Sequence, residues 1–148
     1  MNHIFALVIA VVISASVALA DDVKVKAVMT TGPEDDPVTS FASDTPKLLA
    51  MFKTKGIQSG TKVRGVLIAI DVGDVAPANT KVLEKTLTLD EDTDDGDFNF
   101  SKPTNGWPVG EYRVEIYVND QLATTVKFTI KAAKSKKESD KEKESSEE

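Results

Sequence analysis

The densest concentration of potential ligands in this chain is the acidic run Asp90-Glu91-Asp92-Thr93-Asp94-Asp95-Gly96-Asp97. Calcium takes about six to eight hard oxygen ligands. Alternate residues Asp90, Asp92 and Asp94 would offer three carboxylates from one side of a loop, and calcium is the one cofactor the sequence suggests. The run is not an EF-hand loop, which needs glycine at its sixth position and a bidentate glutamate at its twelfth. Counted from Asp90 those positions hold Asp95 and Ser101. A solvated, charge-rich hairpin turn that protects the neighbouring edge strand from mispairing accounts for the same residues.

Aromatic side chains offer a second chemistry, stacking on the apolar face of a sugar. The candidates are Trp107 and Tyr117, of which Trp107 sits between Asn105-Gly106 and Pro108 and reads as a plug for the end of a domain. Tyr117 falls on the face opposite Tyr112, Val114 and Ile116, so it is the ligand-binding candidate that alternation leaves outside. Catalysis is constrained by what is missing. Cysteine is absent, and the single histidine is His3 at the extreme N-terminus. Ser-His-Asp and Cys-His nucleophilic sites and His or Cys zinc sites are therefore excluded once that terminus is removed. Paired carboxylates remain formally available, but each lies in a run that a solvated loop explains. No catalytic residue is assigned, and the expectation is a protein that is not an enzyme.

These residues belong to a 148-residue chain with a net charge of −6. Ile4–Val17 is an unbroken run of apolar and small residues, and Ala18-Leu19-Ala20 supplies the small-x-small pattern of a signal-peptidase site. A signal peptide over 1–20 is expected, leaving Asp21 as the new N-terminus, although Met1-Asn2-His3 lacks the usual Lys or Arg. The alternative is an uncleaved anchor, since about 20 apolar residues span a bilayer. Export implies a periplasmic or secreted protein with no stable membrane insertion after cleavage. Without cysteine there is neither a disulfide framework nor a lipobox, so a core must hold the fold by itself. From Lys131 to Glu148 six lysines balance six acidic residues, so the whole negative excess lies in the preceding part. That surface opposes nucleic acid and anionic lipid. Residues 132–148 contain no large apolar side chain and cannot offset the entropy of ordering, so a disordered Lys/Glu/Ser-rich tail is expected.

Between these ends, residues 21–131 carry strand signals throughout. Val23–Met29 alternates apolar and polar with period two. Thr30–Asp44, with Gly32-Pro33 and Asp35-Asp36-Pro37, reads as a long loop in which Val38 and Phe41 tuck onto a rim. Lys47–Phe52 is a second strand. Thr61–Ile70 is nearly continuous apolar after Arg64, the pattern of a central strand covered on both faces or lying under a loop, and its Gly65 and β-branched content argue against a helix. Lys81–Leu89 alternates through Leu83, Lys85, Leu87 and Leu89, and Asp97–Ser101 places Phe98 and Phe100 together. Glu111–Val118 and Gln121–Ile130 alternate on either side of Asn119-Asp120, two residues that tolerate the positive φ of a type I′ hairpin. In the last strand Leu122, Thr124, Val126, Phe128 and Ile130 are assigned to one face. Seven strands and no helix predict an all-β, two-sheet sandwich.

The segment from Trp107 to Ile130 resembles the immunoglobulin-like and fibronectin type III-like sandwiches of bacterial exported proteins. The residues that carry the resemblance are Trp107, Gly110, Tyr112, Phe128 and Ile130. It implies a seven-stranded Ig-like domain over 21–131, with Trp107, Gly110, Tyr112 and Phe128 in structural roles. It also implies a tyrosine corner at Tyr112, whose hydroxyl would bond back to the backbone. Antibody-type cysteines are lacking. The function expected is a non-catalytic binding module of the cell envelope that recognises another envelope protein, with edge strands open to β-augmentation. A small-ligand binder is the alternative, taking calcium at 90–97 or a glycan on exposed aromatics.

Overall fold

The computed structural model describes residues 23–90 and 94–134. The expected signal peptide, Asp92 and nearly all of the tail lie outside them. Eight strands make up the domain: β1 Lys24–Thr30, β2 Ser40–Ala42, β3 Lys47–Lys55, β4 Thr61–Asp71, β5 Thr80–Leu89, β6 Asp95–Ser101, β7 Gly110–Val118 and β8 Gln121–Lys131. A single 3-10 turn at Gly73–Val75 is the only helical element among the described residues. One sheet has three strands in the order β1-β3-β6, the other five in the order β2-β8-β7-β4-β5.

Period-two patterning sorts the side chains between core and solvent. Met29, Leu48, Ala50, Phe52, Phe98 and Phe100 point inward from the small sheet. Val63, Leu67, Ala69, Val114, Ile116, Phe128 and Ile130 meet them from the large one. The sheets pack tightly at Gly65, since a methyl added there would lie 2.6 Å from the Phe98 ring. Strand β6 therefore lies directly over β4. The apolar run in β4 is covered on both faces: Val66 and Ile68 are 4% and 8% exposed although they point away from the core.

The fold differs in two places from what the sequence pattern predicts. The strand count is eight, not seven, because the segment read as a loop contains β2, which pairs in parallel with β8. Three residues are too short for an alternating pattern, and the strand is held by Phe41, buried edge-on against Phe128 at 5.5 Å. Leu122 does not join the inward row of β8. A bulge between Ile116 and Tyr117 shifts the register, so that Ile116 faces Thr124 while Tyr117 faces Leu122. One extra residue moves a side chain to the other face, and Leu122 is 50% exposed beside Tyr117. The hairpin before it turns through Asn119 and Asp120 at φ 46° and 67°. Asn119 also ties the hairpin to β4, its amide donating to the Lys62 carbonyl at 2.9 Å.

Candidate functional site

Trp107, Gly110, Tyr112 and Phe128 converge on one corner of the sandwich. Trp107 is buried, its amide donating to the Ser43 carbonyl at 2.9 Å. Its indole Nε1–H donates to the Thr45 carbonyl, also at 2.9 Å. Gly110 has φ 154°, and a side chain there would collide with the backbone of Asp71 and Val72. The Tyr112 hydroxyl donates to the Pro108 carbonyl at 2.6 Å, four residues back along the chain. Its ring stacks on Phe128 at 5.4 Å, and burial pushes its phenol up to about 12. This corner is tightly packed and fastens the entry of β7.

Tyr117 stands on the outer face of the large sheet within a charged network. Its hydroxyl donates to Glu115 Oε2 at 2.6 Å, and the Arg64 guanidinium lies 4.3 Å from the ring centre. The bond to Glu115 is the main cause that raises the Tyr117 phenol above its ordinary value. Burial pushes the Glu115 carboxyl upward, but bonds from Tyr117 and Arg113 and the two guanidinium charges outweigh it and hold the carboxyl low. Arg113 Nε meets Glu115 Oε1 at 2.8 Å, while Glu84 accepts from Lys81 at 2.8 Å and from Arg64 at 3.3 Å. In the register Val66 lies between Glu84 and Glu115 and Ile68 between Lys81 and Arg113, long side chains whose stems suit the cover of an apolar strand. Tyr117 is on the outer face and Trp107 is buried at the closing corner, so the two cannot form one aromatic platform.

Of the acidic triplet, Asp90 and Asp94 are exposed at the two ends of the β5–β6 connection, and Asp92 lies outside the described residues. The Asp94 carbonyl accepts from the Thr54 amide and hydroxyl, at 2.5 and 3.2 Å, which anchors the start of β6.

Two surface features escaped the sequence reading. The outer face of the small sheet carries a shallow groove of about 330 Å³, lined by Lys26, Val28, Met51, Lys53, Asp95 and Asp97. The second feature follows from the unequal sheets. With β6 above β4, the next strand, β5, extends beyond the cover. Leu83, Lys85 and Leu87 are opposite Leu67, Gly65 and Val63, and so share the core-facing side. No described strand lies above them, and Leu83 and Leu87 remain 38% and 36% exposed. Strand β6 pairs only with β3, so its other edge is unpaired among the described residues. The signal available beforehand was Lys85, a lysine set into a row of leucines.

The sheet orders, the β7–β8 hairpin and the tyrosine bond across the closing corner define an immunoglobulin-like β-sandwich. A crystal structure of an immunoglobulin-like protein from Pseudomonas aeruginosa shares that fold, with a TM-score of 0.52 and 14% identity over 74% of this chain and 91% of that one. A lower likeness, TM-score 0.46 at 13% identity, is to an alkylpurine DNA glycosylase of Pseudomonas fluorescens bound to DNA containing an abasic site analogue; it covers 74% of this chain but 30% of that one. No family model matches the chain, and no curated protein matches it in sequence. Among the described residues no helix is long and apolar enough to cross a membrane.

Proposed function

We propose that this protein is a non-catalytic binding module of the bacterial cell envelope that recognises another protein, and that it does so along the open flank formed by β5 and β6. The observation that carries this reading is the uncovered Leu83–Lys85–Leu87 row beside an unpaired strand edge. Backbone hydrogen-bonding groups and apolar side chains on one flank are the two components of recognition by strand addition. The fold likeness agrees with a binding role and leaves the partner open. Periplasmic or secreted placement rests on the apolar N-terminal run and its Ala18-Leu19-Ala20 site.

The test is site-specific photo-crosslinking of the full-length protein in its native envelope, with the probe at Lys85 or, as comparison, at Lys127 on the outer face of the large sheet. A crosslink to a defined protein from position 85, lost in Leu83→Glu/Leu87→Glu, is the expected result. Both leucines are already exposed, so the double variant should melt close to the wild type. Crosslinks that form equally from position 127, or that survive the double variant, would overturn the assignment of the flank.

A further inference from the structure

Resting on that reading, we propose the chemistry of the partner: an extended segment adds as a fourth strand to the free edge of β6, and its charge pattern is set by both faces of the flank. Addition at β6 is favoured over addition at β5 for a geometric reason. A strand on β5 would lengthen the larger sheet and leave the row beneath still uncovered. A strand on β6 lies over β5 at the ordinary spacing of packed sheets, about 10 Å, and closes the sandwich.

The register follows from Gly65. The Phe98 ring of β6 sits over Gly65, and Gly65 is opposite Lys85. The incoming residue beside Phe98 therefore faces Lys85, and an acidic side chain there pairs with an ammonium that has no ion-pair partner among the described residues. The residues two places away on either side, beside Gly96 and Phe100, point down toward Leu83 and Leu87 and are apolar. On the outer face, Asp95 lies opposite Lys53 of β3 and Asp97 accepts from the Asn99 amide at 2.6 Å, yet both are exposed and reachable from the open edge. The incoming residues beside them are basic, because opposite charges across neighbouring strands attract and like charges repel. The residue beside Asn99 is unconstrained. The segment thus reads basic–apolar–basic–acidic–any–apolar in one strand direction, and its reverse in the other.

The experiment titrates the full-length protein with fluorescent peptides containing Lys-Val-Lys-Glu-Thr-Val and its reverse, each against a charge-swapped control, Glu-Val-Glu-Lys-Thr-Val and its reverse. One of the patterned peptides should bind about tenfold more tightly than its control, as two exposed pairs at Asp95 and Asp97 and one covered pair at Lys85 would give. The preference should shrink in Lys85→Glu and in Asp97→Lys and reverse when both are combined. Hydrogen exchange should slow at the β6 amides on binding. Equal binding of patterned and swapped peptides, or binding of neither, would overturn the charge pattern; the flank itself would stand if the crosslink from position 85 were still lost in Leu83→Glu/Leu87→Glu. A dimer that dissociates in that double variant, measured by light scattering, would put a second copy on the flank and overturn the partner segment.

Discussion

Tyr112→Phe separates the hydrogen bond at the closing corner from everything else the ring does. The substitution keeps the stack on Phe128 and the buried volume, and deletes one hydroxyl that donates to the Pro108 carbonyl at 2.6 Å. A net hydrogen bond contributes about 1 kcal/mol, and the carbonyl left without its donor adds part of a desolvation penalty, so the loss should be about 1–2 kcal/mol. In a domain of this size that is a fall in Tm of roughly 5–10 °C, measurable by calorimetry or circular dichroism. The same hydroxyl supplies a second readout. Burial raises the phenol from 10.0 to about 12, so the native state holds this proton more tightly than the unfolded chain. Its contribution is complete below pH 10.0 and is lost as pH rises through about 12. Stability of the wild type should therefore fall more steeply across that alkaline window than stability of Tyr112→Phe. Tyr117→Phe is the comparison, since the Tyr117 phenol is raised mainly by its bond to Glu115 on the outer face. An unchanged Tm together with superimposable alkaline limbs would refute the corner bond as a stabilising contact.

Trp107→Ala should cost about 3–5 kcal/mol in denaturant unfolding, because it empties a buried site and orphans the Thr45 carbonyl; a loss below about 1 kcal/mol, or ready iodide quenching of the native indole, would place the ring at the surface. Gly65→Ala should cost about 1–3 kcal/mol by forcing the Phe98 ring aside, and Gly110→Ala more, because its obstacle is the Asp71–Val72 backbone. The opposite order in thermal melts would contradict that account. For the acidic turn we expect the same melting midpoint in EDTA and in millimolar calcium; a midpoint raised by calcium would favour an ion at Asp90, Asp92 and Asp94 and with it the small-ligand alternative.

What could be read in advance depended on how far each feature is local. The β7–β8 hairpin was legible because alternation over nine residues and the Asn119-Asp120 turn act within one short stretch of chain. The two-sided burial of β4 was legible for the same reason, since an apolar run needs no partner to be recognised. Strand β2 was not, because its three residues are specified by Phe128 on a strand far along the chain. Leu122 was assigned to the wrong face because the bulge that moves it leaves no trace in the alternation of β8. Among the candidate site residues, Tyr117 was placed on the outer face by periodicity, but its partners Arg64 and Glu115 could be named only from cross-strand register.

Lys85 shows where local reading stops. In the sequence it is a lysine in a leucine row, an irregularity that a surface strand would tolerate. Its meaning changes once the sheets are counted, because three strands cannot cover five. A full cover over β5 would bury Lys85 without a partner, at a cost no ordinary core accepts. An inward-pointing charge on an edge strand is also a known guard against indiscriminate pairing. Both arguments lead to one selectivity: an apolar strand alone would bury Leu83 and Leu87 and strand an ammonium, whereas a strand carrying one acidic residue at the right position satisfies all three. The residue that protects the flank from the wrong partner is the residue by which the right one is recognised.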